Sequence, residues 1–136
     1  MIQQVDHIGI AVHSIEAHLP FYRDILGLRF LGIEVVEDQK VRTAIFQAGE
    51  TRIELLEPTD DESPVSGFLK KRGEGIHHIA YRSDQLKADL DKLKAHGIRL
   101  IDEQPREGAH GNRIAFIHPK SSGKVLTELC QPLNEK

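Results

Sequence analysis

Apolar and polar positions follow a pattern that occurs twice along the chain. Val5-Asp6-His7-Ile8-Gly9-Ile10-Ala11-Val12 and Ile76-His77-His78-Ile79-Ala80-Tyr81-Arg82-Ser83 are both short, largely apolar segments with histidine at the third position, and both predict strands. After the first, Ser14 predicts the cap of a helix whose apolar positions Ile15, Leu19, Tyr22 and Leu26 follow helical spacing and which stops at Gly27. Pro20 falls inside that helix, so either the helix kinks there or its regular part begins there. After the second, Asp84 predicts the cap of a helix carrying Leu86, Leu90 and Leu93 and stopping at Gly97.

Three further apolar pieces bounded by turn residues follow in each half. They are Leu28 to Val36, Val41 to Ala48 and Thr51 to Glu57, then Ile98 to Ile101, Arg113 to His118 and Val125 to Cys130. Arg42-Thr43-Ala44-Ile45-Phe46 matches Arg113-Ile114-Ala115-Phe116-Ile117 at the same offset that relates His7 to His78. The order in each half is strand, helix, three strands. The fold class expected is therefore α+β, with two tandem βαβββ modules pairing into one curved mixed sheet around a shared concavity. The modules are residues 1–57 and 75–136 of a single domain, joined by a linker over 58–74 in which Ser63-Pro64 opens a short helix running through Lys71.

Composition narrows the function. In 136 residues, 18 basic against 21 acidic side chains leave a formal charge of −3, without the basic field that would hold nucleic acid or an anionic membrane. A small-molecule partner is the expectation. Cys130 is the sole cysteine, which excludes an intramolecular disulfide or a four-cysteine zinc site and fits a reducing cytoplasm. No targeting segment or bilayer-spanning apolar run is visible, so the expected location is cytoplasmic.

Eight histidines in so short a chain direct attention to metal sites. Aligning the last strand of each half places Thr51-Arg52-Ile53-Glu54-Leu55-Leu56 on Val125-Leu126-Thr127-Glu128-Leu129-Cys130, so a glutamate recurs. Strand alternation turns Glu54 away from Ile53 and Leu55, and Glu128 away from Thr127 and Leu129. Each half thus contributes one histidine and one glutamate, and His7, Glu54, His78 and Glu128 form a candidate ligand set for a divalent cation. Taken singly, each is more often a surface residue; the matched pairs are what solvation alone does not produce. Nitrogen and oxygen donors without thiolate favour cobalt, manganese, nickel, zinc or magnesium. Four protein ligands on an octahedral ion leave two positions, which predicts a substrate offering two oxygens.

Other residues carry blander readings. Register with His7 selects His78 over His77, which alternation turns the other way. His13, His18 and His96 lie at helix positions where solvated faces are the default, while His110 and His118 sit in loops able to line a site mouth. Cys130 reads as a small buried side chain. Lys70-Lys71-Arg72 reads as compensation of a helix dipole, and Gly73-Glu74-Gly75 as a turn.

Taken together, these residues resemble the vicinal oxygen chelate superfamily, also called the glyoxalase/bleomycin resistance superfamily. Three phrases resemble its methylmalonyl-CoA epimerase family: Gly49 through Pro58, Gly75 through Tyr81, and Gly108-Ala109-His110-Gly111-Asn112-Arg113 through His118-Pro119-Lys120. The resemblance implies His7, His78 and Glu128 as metal ligands, with Glu54 at a fourth position that some members fill with glutamine. It implies cobalt foremost, with manganese, nickel, zinc or magnesium as alternatives, and an acyl-CoA substrate; the edge strands of such modules predict a homodimer. It implies epimerisation of methylmalonyl-CoA through a chelated enolate, which needs an acid/base on each face of the planar carbon. Glu128 and Glu54 are the candidate pair; some members carry another glutamate where Thr43 stands here. A glyoxalase-type isomerase or lyase acting on a thiol adduct, and a metal-free module binding a small ligand, are the alternative functions.

Overall fold

A computed structural model describes residues 1–108 and 111–132. The eight strands follow the order β2-β3-β4-β1-β5-β8-β7-β6, where β1 is Ile2–Ala11, β2 Arg29–Val36, β3 Val41–Ala48, β4 Thr51–Pro58, β5 Gly75–Ser83, β6 Arg106–Glu107, β7 Asn112–Ile117 and β8 Leu126–Pro132. Three α-helices accompany them: α1 Ile15–Leu19, α2 Pro64–Arg72 and α3 Leu86–Ala95. The class is α+β, as expected. The chain divides into two compact units, one formed by His7–His77 and the other by Met1–Asp6 with the residues from His78 onward.

In the His7–His77 unit, β1 runs parallel to β4, and β3 is antiparallel to both β4 and β2. One face of this sheet is apolar. Val12, Ile15, Ala44, Phe46 and Leu55 bury there against α1, and the rings of Tyr22 and Phe30 lie 5.7 and 5.2 Å from that of Phe46. Alternation sends Glu54 and Leu56 to the opposite face, where Leu56 packs with Ala11, Val41 and, from α2, Val65 and Leu69. Ser14 and Ser63 cap α1 and α2 as expected, accepting from Ala17 N–H and Val65 N–H at 3.2 Å each. Pro20 has no N–H to donate, and from it the helix widens into π turns over Pro20–Ile25, with Leu26 N–H reaching Phe21 O at 2.7 Å. In β2 the register slips between Phe30 and Gly32, leaving Leu31 as the extra residue of a bulge, and Gly32 takes φ +127°.

The other unit repeats this plan. β5 runs parallel to β8, β7 is antiparallel to β8, and Leu86 and Leu90 of α3 bury against Ala115, Ile117 and Leu129. Two expectations fail here. Ile98 to Ile101 is not a strand; it makes one bridge, between Leu100 and Ile117, and the strand beside β7 is the two-residue β6. The cause is Asp102, whose carboxylate takes Phe116 N–H at 2.9 Å while Phe116 O receives both Ile101 N–H and Asp102 N–H. The ladder stops there. Nor does Asp84 cap α3: Ser83 Oγ accepts from Gln85 N–H, and Leu86 N–H goes to Gln131 Oε1 of β8 at 2.8 Å.

Candidate metal centre

The parallel pair β5 and β8 places His78 opposite Leu126 and Ala80 opposite Glu128. Residues opposite one another share a face, so His78 and Glu128 emerge on the same side, two residues apart along the register, with the methyl of Ala80 opposite the glutamate. His78 Nε2 lies 3.5 Å from Glu128 Oε1, and both side chains are buried. Phe116, opposite Glu128 on β7, sets its ring edge-on to the imidazole at 6.3 Å, and the Arg106 guanidinium lies 5.5 Å from the centre of that ring. Asp102 in turn accepts from Arg106 Nε at 3.1 Å. Cys130, on the same strand, is buried among Ala80 and Ile114, the small apolar role its sequence context suggested.

The same register recurs in the other parallel pair, with His7 opposite Arg52 and Gly9 opposite Glu54. His7 is buried. Glu54 is four-fifths or more covered, but its carboxylate is engaged within its own strand, where Oε2 accepts from Arg52 Nε at 3.3 Å. Thr43 is buried opposite Leu56 on the Glu54 face and offers no carboxylate.

Three of the four sequence-derived candidates come together. One ring nitrogen each of His7 and His78 and one carboxylate oxygen of Glu128 lie within 4.8 Å of one another, and all three residues are buried. Two imidazoles and a carboxylate, sheltered from water and this close, match the donor types and spacing that a divalent cation takes, so the residues fit such an ion. Glu54 lies outside this group.

The remaining histidines have other surroundings. His77 faces the ring of Phe68 in α2 at 5.1 Å, and burial pushes its pKa down. His18 Nε2 meets Glu74 at 3.0 Å, and His96 Nδ1 donates to Lys92 O. His118 caps the short turn Pro119–Ser121, its Nδ1 accepting from Lys120 N–H, whereas His110 lies outside the described residues. Lys70, Lys71 and Arg72 do fall in the last turn of α2, with Arg72 over the Phe68 ring at 5.6 Å. Sequence pattern did not single out Arg52, Arg106 or Phe116 as neighbours of the centre. For Arg52 a signal existed, since a cation two residues before a strand carboxylate shares its face.

The model of the Glyoxalase/Bleomycin resistance protein/Dioxygenase superfamily matches residues 6–116. An uncharacterized protein of Bacillus subtilis, YqjC, is 48% identical over 135 residues, spanning 99% of this chain and 96% of its own. The ethylmalonyl-CoA/methylmalonyl-CoA epimerase of Cereibacter sphaeroides is 38% identical over 96% of this chain and 99% of its own. A solved methylmalonyl-CoA epimerase in complex with methylmalonyl-CoA and NH4+ superposes with a TM-score of 0.87, at 38% identity, over 98% of this chain and 97% of that one. With the superfamily model running from residue 6 to 116, through both strand–helix repeats, and with relatives aligned over nearly the whole chain, the chain belongs to the glyoxalase/bleomycin resistance protein/dioxygenase superfamily, in the company of its methylmalonyl-CoA epimerases.

Proposed function

We propose that this protein is a metal-dependent isomerase that epimerises methylmalonyl-CoA at the carbon between thioester and carboxylate. One observation carries the reading: the buried His7, His78 and Glu128 group occurs in a chain related over nearly its full length to methylmalonyl-CoA epimerases. His7, His78 and Glu128 would hold the ion, with Glu54 able to supply a fourth ligand. A bound divalent cation supplies a Lewis acid for the negative charge that grows on the substrate's carbonyl oxygen as the α-proton leaves. Cobalt is the first candidate, ahead of manganese, nickel, zinc and magnesium. Glu128, steadied by His78 and by Phe116 behind it, takes or returns the α-proton on one face of the planar carbon. Inversion needs a second acid/base on the other face, and with threonine at position 43, Glu54 fills that role. The same reading includes a cytoplasmic homodimer and a single domain of modules 1–57 and 75–136 joined through 58–74; among the described residues no helix is long and apolar enough to cross a membrane.

The test is proton exchange. The metal-reconstituted protein, given one methylmalonyl-CoA epimer in deuterated water and followed by NMR, should incorporate deuterium at the α-carbon and scramble the epimers, and a chelator should stop both. Glu54→Gln should lower turnover about a hundredfold or more, the scale of a lost general acid/base. Retained turnover in that variant removes Glu54 as the second acid/base. If none of the five metals supports exchange, the epimerase reading fails. Turnover of a glutathione hemithioacetal would then point to a glyoxalase-type isomerase, and binding without metal to a ligand-holding module.

A further inference from the structure

The two glutamates occupy equivalent register positions, each opposite a glycine or alanine and diagonal to a histidine, yet only Glu128 sits with its histidine. The difference lies two residues upstream on the same strand, where Glu54 is preceded by Arg52 and Glu128 by Leu126. Alternation puts each of these on the glutamate's own face. Arg52 therefore offers its guanidinium to Glu54, at 3.3 Å, while Leu126 offers Glu128 no charge. Gly9, across from Glu54, has no side chain to block a swing of the carboxylate.

We propose that Arg52 is a positioning residue that gives Glu54 a second resting place off the metal, so that guanidinium and metal ion compete for one carboxylate. This rests on the metal reading above and adds to it a reason for asymmetry. A carboxylate that both binds metal and moves protons must leave the ion to do the second. Arg52 stabilises it as an anion once it has left. The pair is 35% and 15% exposed, so its attraction is less screened than that of a fully solvated pair. In the other half Leu126 stands where Arg52 does, so that position supplies no guanidinium to Glu128.

Calorimetric titration with Co²⁺ alone, without substrate, tests this in the full-length protein. Arg52→Leu, which copies the other half, should bind about fivefold tighter than wild type, the scale of one partly screened ion pair. Arg52→Lys should stay near wild type, and Arg52→Leu combined with Glu54→Gln should bind no tighter than Glu54→Gln alone. Arg52→Gln is the second variant should the leucine form fail to fold by circular dichroism. Folded Arg52 variants that bind like wild type or more weakly overturn the proposal while leaving the metal centre standing, as does tightening that persists without Glu54. A wild-type protein that binds no Co²⁺ overturns both.

Discussion

A charged side chain in this fold takes its meaning from one or two neighbours rather than from the strand that carries it. Glu74 is an instance outside the candidate centre. Its carboxylate accepts from His13 N–H at 2.8 Å and meets His18 Nε2 at 3.0 Å, tying the loop before β5 to the start of α1. The His13 amide foremost, and the His18 ring after it, hold the Glu74 carboxyl below its ordinary value of 4.5. On lowering the pH through 4.5 the unfolded chain takes up this proton before the folded one does. The stabilisation is present above 4.5 and is lost as the pH falls through the folded value. Urea denaturation between pH 6 and pH 3 should therefore show a shallower loss of stability for Glu74→Gln than for wild type, by less than about 1 kcal/mol because the group is more than a third exposed. Coincident profiles would show that the contact contributes nothing.

At the scale of elements, what could be read in advance was what local sequence decides. Ser14 and Ser63 cap their helices through their own hydroxyls, and the repeat that matches His7 with His78 and Glu54 with Glu128 reappears as equivalent registers in the two parallel strand pairs, so the face that each histidine shares with its glutamate was legible. The failures are all non-local. Nothing near Ile98 shows that Asp102 will take Phe116 N–H, and nothing near Asp84 shows that Gln131, 45 residues after Leu86, will receive the first amide of α3. The state of Glu54 was hidden for a different reason: the repeat draws attention to what matches, whereas Arg52 against Leu126 is what does not. The start of α3 gives a direct check. Gln131→Ala, which leaves Leu86 N–H without this acceptor, should cost about 1 kcal/mol in thermal or chemical denaturation. Asp84→Ala should leave the helix start intact, and equal losses in the two variants would argue against a cap supplied by β8.

For the molecule as a whole, the two ends of the strand order are built differently. β6 is two residues long, whereas β2 is eight and exposes Leu31, Ile33 and Val35. A long, flat, apolar outer strand is a template on which further copies of a chain can add without limit. The bulge at Leu31 and Gly32 breaks that flatness, and it depends on a φ of +127° that a side chain rarely tolerates, although nothing within 4 Å would obstruct a Cβ there. Gly32→Val should therefore act through backbone shape rather than crowding, and light scattering against concentration should show particles larger than a dimer where the wild type shows none; unchanged scattering would clear the bulge of this role. One residue without a side chain thus bears on colloidal behaviour: it limits how many copies can line up along β2, a constraint on concentration in the cell rather than on catalysis.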